Sequence, residues 1–478
     1  MTKNNLYGYT KYRPYQKSET LDILGIIEVI LSFSIALICY FNGKVERLHD
    51  FWLLPFCYAV GRLWVMYRNK NINSLAYQII TIVMFIRYSF STYLTMTTSY
   101  YDGIKTYTES YLSVLLLMLY EMFVVFFVIK MFFRKKENLS YNTLTIKKEH
   151  EGVVMIFFKV FLVLMTIGIA FTSPAARSTL FNFSFVSSKV NSTSVNEALG
   201  GLSFIVFKIG INVIYALVVK EIVKYMGINK ISFFVNLILS AIYISCNWTG
   251  SGNVNRWGLL TSFMVCFVIL LKIYPKYKKT IFVMFGSLLV VVLLASSIVK
   301  LFTHHGASTS EALSEIFSAT YMNEYFQGIY PISNGLRAMD YNDVKINFVT
   351  FLDDTISAYP LLNHLFYENG NLTQTFYQEF LNLNDKILPT LCQGYAHFGY
   401  IGAPIFSGIL TYIALRTDYV MRKSKSIVET LATAQIVTFC SLFMAVNVFI
   451  IQRTTMYFVL LYIVIFIDKH LKLKRGKK

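Results

Sequence analysis

Four arginines of this 478-residue chain stand where cations are not expected. Arg87 lies within a long apolar segment, Arg256 at the mouth of another, Arg453 in the turn between the last two, and Arg337 in the long connection that precedes the last three. A guanidinium presents a planar fork of donors that matches phosphate oxygens, and it stays charged at any working pH. A cation within an apolar span costs about 2.5–3.5 kcal/mol on insertion scales, so each such position needs compensation. The four side chains therefore predict a shared clamp for a polyanion such as the head group of a lipid pyrophosphate.

A structural interpretation of the same cations competes with the clamp. Each cation can pair with a polar residue of a neighbouring span, or extend its charged end to the interface while its stem stays in the apolar region. For Arg62 and Lys159, which lie near the ends of their segments, this interpretation is favoured. The polar residues available for pairing are Glu28, Glu121, Asn212 and Asn236.

A second set of candidate residues belongs to the stretch QGYAHFGYIG, residues 393–402, which contains Tyr395 and His397 at the start of an apolar segment. A neutral imidazole there can take a proton from an attacking hydroxyl. The alternative is a structural histidine. Asp353, Asp354 and Asp385 are carboxylates that could serve the same role, although loop acids are usually just solvated.

Metal and cofactor chemistry has little support in the sequence. His304 and His305 adjoin a glycine, but HExxH spacing is absent, and the six cysteines form no CxxC pair and no disulfide framework. A Walker-type phosphate loop is also absent. We therefore predict neither a metal site nor a cofactor.

The elements that must hold these residues are membrane helices, because 55% of the chain is hydrophobic and only 15% is charged. A bilayer core of about 30 Å takes roughly twenty apolar helical residues. That length predicts an all-α polytopic membrane protein with about twelve spans. The predicted spans are 21–41, 49–67, 74–96, 111–133, 152–172, 202–226, 230–248, 257–274, 280–301, 396–415, 427–450 and 454–468.

The basic residues set the predicted orientation. Most of the 44 Lys and Arg residues fall in the tail 1–20, in the connections after the even-numbered spans and in the tail 469–478. Both termini are therefore predicted to be cytoplasmic. The net charge of +18 is explained by membrane topology, and nucleic acid is not an expected partner.

The connection 304–394 separates the membrane segments 21–303 and 395–468, and it is far longer than a simple linker. It mixes aromatic residues with isolated Gly and Pro, unlike a disordered segment. Its stretch from Val344 to Ile356 has the apolar spacing of a short amphipathic helix. We expect a helical cap on the outer face of the membrane.

Several short motifs accompany this architecture. They are Arg87-Tyr88 in the third predicted span, Tyr120-Glu121 in the fourth, Asn255-Arg256 before the eighth, and Gly394-Tyr395 followed by Phe398-Gly399 and Gly402 at the tenth. Together with the large outer loop before the last three spans, they resemble the Wzy-type polymerases of O-antigen, capsular and exopolysaccharide repeat units. The resemblance covers most of the chain as architecture, while its motifs are short and degenerate.

The resemblance implies a GT-C-like glycosyltransferase in the bacterial cytoplasmic membrane. Such an enzyme transfers a growing glycan from undecaprenyl pyrophosphate to a new lipid-linked repeat unit on the outer face, without a metal. It further implies that Arg256 and Arg337 hold pyrophosphate, that Arg87 supports the site, and that the His397 region with Tyr395 lines the acceptor side. Arg453 would join the substrate-binding cations. A chain-length co-polymerase and a flippase would be partners.

Other functions stay open at the level of sequence. A flippase of the same pathways has similar length and charge, but it usually has short loops and a six-plus-six repeat, whereas this chain has one outer connection of about ninety residues. A glycan ligase shares the large outer loop and is separated poorly from a polymerase. A purely structural scaffold gives no account of the arginines in the apolar segments.

Overall fold

The computed structural model of the chain describes residues 23–67, 74–98, 111–135, 152–173, 176, 201–250, 253–254, 256–288, 291, 294, 314–341, 348–359, 372–383 and 386–475. These residues form helices in most of their length. The exception in regular structure is a small antiparallel ladder that pairs Thr249–Gly250 with Asn253–Val254, in the polar gap predicted between the seventh and eighth spans.

The first group of helices precedes the long loop. Backbone in hydrocarbon must satisfy its hydrogen bonds within the segment, so long apolar runs fold as helices. A 3-10 turn, Glu46–Trp52, leads into α2, and a π-helical turn, Ile86–Phe90, joins α3 to α4. The helices are α1 (Ile23–Asn42), α2 (Leu53–Met66), α3 (Leu75–Phe85), α4 (Ser91–Thr97), α5 (Tyr111–Lys135), α6 (Val153–Thr172), α7 (Gly201–Met226), α8 (Lys230–Trp248), α9 (Arg256–Ile273) and α10 (Pro275–Leu288).

The second group contains the helices of the loop and of the C-terminal region. The helix expected between Val344 and Ile356 is confirmed, with a start four residues later, as α13. The helices are α11 (Ala319–Tyr325), α12 (Ile329–Tyr341), α13 (Phe348–Ser357), α14 (Leu372–Leu381), α15 (Thr390–Gly402), α16 (Ile405–Lys423), α17 (Ile427–Ser441) and α18 (Val448–Arg475). We refer to α11–α14 as the cap.

The chain is a polytopic membrane protein by the length and composition of its helices. Six stretches are long and apolar enough to cross a bilayer: Ile23–Asn42, Leu75–Thr97, Tyr111–Arg134, Val154–Thr172, Lys230–Asn247 and Val448–Asp468. Two bent helix pairs raise the number to eight if each pair counts as one span. The count of twelve stays a prediction, because α2 and α17 have only 14 and 15 residues.

Helix α17 forms the centre of the bundle. All of its residues are buried, and it packs against α3, α7, α9, α16 and α18. Three of its polar side chains are hydrogen-bonded: Thr433 Oγ1 donates to the Glu429 carbonyl at 2.6 Å, and Thr438 Oγ1 donates to the Ala434 carbonyl at 2.8 Å. Gln435 Nε2 donates to Tyr243 Oη on α8 at 3.2 Å. Ser441 Oγ, at the end of this apolar helix, is buried without a partner among the described residues.

The predicted span 396–415 is wrong as one continuous helix, because α15 and α16 meet at a bend of 108°. Gly399 has φ +65°, a conformation that glycine adopts without strain, and Pro404 precedes α16. The two arms approach closely: a Cβ on Gly394 would lie 2.0 Å from the Ala403 carbonyl oxygen. Gly394 and Gly399, which belong to the sequence motif at residues 394–402, thus permit the chain to fold back within this segment.

Candidate functional site

The short arm α15 carries two side chains that bind carboxylates of the cap. Tyr395 Oη donates to Asp340 Oδ1 of α12 at 2.8 Å. His397 Nε2 lies 3.0 Å from Asp354 Oδ2 of α13. Two of the sequence-predicted site residues are therefore fixed to the cap by hydrogen bonds, each through a separate helix.

The His397 and Asp354 pair is buried, with side-chain exposures of 1% and 3%. Asp354 also accepts hydrogen bonds from the backbone N–H and the hydroxyl of Thr373, at the start of α14. The carboxylate is therefore held in place by a second cap helix, α14, as well as by the imidazole. Such an arrangement fixes the orientation of the ring.

The environment of His397 determines which ring nitrogen has a lone pair that can accept a proton. An ionised Asp354 accepts only, so the neutral ring carries its proton on Nε2, and Nδ1 is left with its lone pair. Nδ1 is buried and has no hydrogen-bond partner in the described part of the chain. The rings of Phe351, Phe398 and Phe406 pack around the imidazole at 5.5–6.3 Å between centroids. Phe398 is itself 38% exposed, whereas the imidazole that it covers is 1% exposed.

Arg337 belongs to the same junction. It is half-buried on α12, one turn before Asp340, and it takes part in an interaction with its surroundings. Helix α12 is drawn close to α15 at Gly335, where a Cβ would lie 2.6 Å from the Cys392 sulfur. Arg337 therefore lies on the cap helix that contacts α15 through Gly335 and Asp340.

Arg87 lies in the bundle in a fully buried ion pair. Its Nη2 is 2.9 Å from Glu121 Oε2, and both side chains have 0% exposure. Glu121 also accepts from Tyr88 Oη at 2.8 Å and from Ser407 Oγ at 2.6 Å. Nε and Nη1 of Arg87 have no hydrogen-bond partner among the described residues. The guanidinium is thus neutralised by its own acid, as the structural interpretation predicted.

The local backbone explains how Arg87 reaches this position. It lies in the π-helical turn Ile86–Phe90, and such turns insert one extra residue and redirect the side chains that follow. Ser407 connects the pair to α16, directly after the bend. The ion pair is therefore joined to the long arm of the broken span by a hydrogen bond.

The other two predicted cations are placed differently. Arg453 is exposed near the start of α18 and interacts with Tyr457 of the same helix. Arg256 is the first residue of α9, and its side chain lies outside the described residues. The structure thus joins Tyr395 and His397 of α15 to the cap, and Arg337 lies on the cap helix to which Tyr395 is bonded. Arg87 and Arg453 share no contact.

Three of the weaker candidates, His304, His305 and Asp385, lie outside the residues that the structure describes. Asp353 precedes Asp354 on α13 and is half-buried. Of the carboxylates singled out in the sequence, Asp354 is therefore the one that the structure places against the imidazole of His397.

No known protein family, curated protein or solved structure matches this chain. Within the described residues, there is also no cluster of three His, Cys, Asp or Glu side chains with the geometry of a metal site. Function must therefore be argued from the side chains themselves.

Sequence reasoning missed Asp340 and the π-helical turn. The signal for Asp340 was its place three residues after Arg337, since residues at this spacing adjoin on a helix surface. Asp354 was a candidate, but its pairing with His397 across 43 positions could not be read from a single chain. The turn at Arg87 has no sequence signature that we recognise.

Proposed function

We propose that this chain is a polysaccharide polymerase of the Wzy type. It joins repeat units that are linked to undecaprenyl pyrophosphate, at the outer face of the bacterial cytoplasmic membrane. The proposal includes twelve spans in a GT-C-like arrangement, cytoplasmic termini and an outer cap. The growing glycan is the donor, and a new lipid-linked repeat unit is the acceptor.

The observation that carries the proposal is the His397 and Asp354 pair. It lies where a cap helix meets the short arm of a broken span, and it leaves Nδ1 as a basic nitrogen. Irregular backbone at membrane depth is tolerated where it is covered by protein or lines a cavity, so broken spans often mark substrate sites. A lipid-borne substrate requires a site at such a junction.

The chemical step assigns one task to each group. A hydroxyl of the acceptor sugar attacks the anomeric carbon of the donor glycan. His397 Nδ1, which is buried in the free protein, takes the hydroxyl proton once the adjoining Phe398 ring moves aside. The new glycosidic C–O bond forms as the bond between the anomeric carbon and the pyrophosphate oxygen breaks. Undecaprenyl pyrophosphate leaves with the electron pair of that bond. Asp354 stabilises the imidazolium formed in this step.

The leaving group requires cations, since charge develops on the pyrophosphate as it departs. Arg337, on the cap helix that contacts α15, is one proposed ligand, and Arg256 and Arg453 are the others. Arg87 has a supporting role because Glu121 already neutralises it. Tyr395, held by Asp340, is proposed to contact the acceptor glycan.

The arrangement of the bundle favours this proposal over a flippase. A transporter of that kind binds its substrate near the membrane midplane between two repeats. In this chain the central position is filled by α17, whose residues are all buried. The candidate chemistry lies instead at one side of the bundle, under the cap.

The glycan profile of a deletion strain tests the function. A polymerase defect leaves one repeat unit on its acceptor. Loss of all surface glycan with repeat units trapped inside the cell indicates a flippase, and long lipid-linked polymer without attachment indicates a ligase. Either of the last two profiles would refute the proposal.

Complementation of that strain tests the dyad. General-base catalysis contributes typically 10²–10⁴-fold, so His397→Gln should reduce the rate of chain extension by roughly that factor. Asp354→Asn should reduce it as well, because the ring loses its anionic partner. The matched control is His49→Gln, since His49 lies 3.3 Å from Asp50 in an exposed pair. Normal polymer length with His397→Gln at normal protein levels would eliminate His397 as the base.

A further inference from the structure

A cavity lies at the C-terminal end of α16, away from the bend, where α16 ends and α17 begins. It has a volume of about 490 Å³. Its polar lining includes Arg416, Tyr419, Lys423, Lys425, Glu429 and Tyr462. This volume falls within the range of ordinary small-molecule sites, roughly 300–1,000 Å³. None of these residues belongs to the site proposed above.

The charge of the lining is positive. Arg416, Lys423 and Lys425 are exposed at the cavity, whereas the one acid, Glu429, is buried and accepts a hydrogen bond from Ser424 Oγ at 2.7 Å. Tyr419 contacts two of the cations: Lys423 Nζ lies 4.4 Å and Arg416 Cζ 5.7 Å from the centre of its ring. The aromatic ring thus gathers like charges that would otherwise separate.

The wall behind these cations is rigidly connected. Lys272 of α9 donates to the carbonyls of Met421 and Ser424 at 2.8 and 2.7 Å and to Thr430 Oγ1 at 3.1 Å. These three bonds fix the turn between α16 and α17. Ser426 lines the cavity and immediately precedes α17. The positive end of the α17 dipole and the negative end of the α16 dipole meet at this turn, so the positive field at the cavity comes from the side-chain cations.

The remaining side of the cavity is apolar. Ile465 and Phe466 of α18 line it, and Phe466 is 62% exposed. In a helix that is long and apolar enough to cross the membrane, this exposed ring faces the surface that lipid would contact. The cavity therefore joins an anion-attracting wall to a hydrocarbon-compatible opening, which is the combination that an anionic amphiphile needs.

We propose that this cavity binds the phosphodiester head group of an anionic phospholipid, with the acyl chains passing over Phe466. Positive charge after a span is expected from topology alone. Topology does not require that the cations share an aromatic ring, line a cavity or adjoin an apolar opening. The site is independent of the polymerase proposal, and it lies at the end of the bundle where the charge distribution predicts the cytoplasm.

Lipid titration of the purified full-length protein tests the site. Phosphatidylglycerol and phosphatidylcholine are added to the delipidated protein in detergent, and bound lipid is counted by native mass spectrometry. Each basic residue near a membrane surface contributes about fivefold to the affinity for anionic lipid. Lys423→Gln combined with Lys425→Gln should therefore weaken phosphatidylglycerol binding roughly 25-fold. Phosphatidylcholine should bind weakly to both proteins.

The control is Lys276→Gln combined with Lys279→Gln, because these lysines are exposed at the same end of the bundle but do not line the cavity. This control should change the affinity less than twofold. An equal loss in both double variants, or equal binding of the two lipids, would overturn the proposal. Displacement of the lipid by millimolar inorganic phosphate or glycerol 3-phosphate would also overturn it, in favour of a soluble phosphate ligand. Arg416→Gln offers a separate variant on α16 if the lysine pair fails to fold.

Discussion

Neutralisation of Arg87 by Glu121 leads to a specific double-mutant prediction. The perturbations are Arg87→Met, Glu121→Gln and their combination. Both side chains have 0% exposure, so water cannot compensate for a lost partner. Removing one member leaves the other charge buried alone, which costs about 3–5 kcal/mol.

The combined variant should be far more stable than the sum of the two losses. Its interior carries no net charge, and the introduced glutamine can still accept from Tyr88 or Ser407, which bond to Glu121 in the native protein. Leaving one of these hydroxyls unpaired costs about 1–3 kcal/mol. Single losses that would add to about 6–10 kcal/mol should therefore fall to about 1–3 kcal/mol in the combined variant, which is a coupling energy of at least about 3 kcal/mol.

Equilibrium unfolding of the purified full chain in mixed micelles, followed by tryptophan fluorescence, measures these free energies. The bundle offers a matched pair in Arg62 and Glu28, whose Nε and Oε2 atoms are 2.8 Å apart with exposures of 0% and 5%. Arg62→Met with Glu28→Gln should show a similar coupling. Strict additivity for Arg87 and Glu121 would refute the inference that this pair neutralises itself in the folded bundle.

The same variants separate structure from function. If the polymerase proposal is correct, the double variant at Arg87 and Glu121 should fold but make shortened polymer, because the support beneath α15 has changed. The double variant at Arg62 and Glu28 should fold and make polymer of normal length, since Glu28 lies on α1 and Arg62 on α2, where Arg62 packs on Tyr77 of α3. Normal polymer length from both would remove Arg87 from the proposed site.

Two further substitutions test the geometry around α15. Gly394→Ala should destabilise the protein by about 1–3 kcal/mol, because the added Cβ would lie 2.0 Å from the Ala403 carbonyl oxygen. Its control is Gly168→Ala, whose Cβ meets nothing within 4 Å and which should be neutral or slightly stabilising. An unchanged Tm for Gly394→Ala would contradict the close approach. Thr390→Val should cost about 1–3 kcal/mol, because Thr390 Oγ1 donates to the Phe443 and Val446 carbonyls at 2.8 and 2.9 Å. Thr172→Val is its control, since that hydroxyl donates to its own helix at 2.9 Å in an exposed position, and equal Tm shifts for the two valines would contradict the role of Thr390.

Several membrane helices could be predicted because the bilayer imposes one length and one composition on them. The prediction 21–41 corresponds to Ile23–Asn42, and 111–133 corresponds to Tyr111–Lys135. The prediction failed at 396–415, where apolar content continues across a bend. A hydropathy profile shows one continuous apolar segment there. The direction of the backbone depends instead on Gly399 and on the contact of Gly394 with Ala403, which connects the two arms.

The candidate site was predicted as residues and not as an arrangement. His397 and Asp354 were both identified by their chemistry, yet their contact depends on how α13 packs on α15. For Arg87, Glu121 was named among the available partners, and a buried cation must be paired somewhere. What a single sequence could not provide is the choice between neighbours, because that choice is made by tertiary packing.

The ion pair of Arg87 also changes which residues can serve as the proposed pyrophosphate clamp. A cation that is already neutralised and fully enclosed contributes little attraction to a new anion, since its partner cancels its field. The positive charge for a leaving diphosphate must then come from the cap side, through Arg337 and the residues that join it there. Arg87 and Glu121 act instead through Ser407, which lies in the first turn of the long arm of the broken span. The proposed enzyme thus divides its arginines between one that fixes the bend and others that meet the substrate.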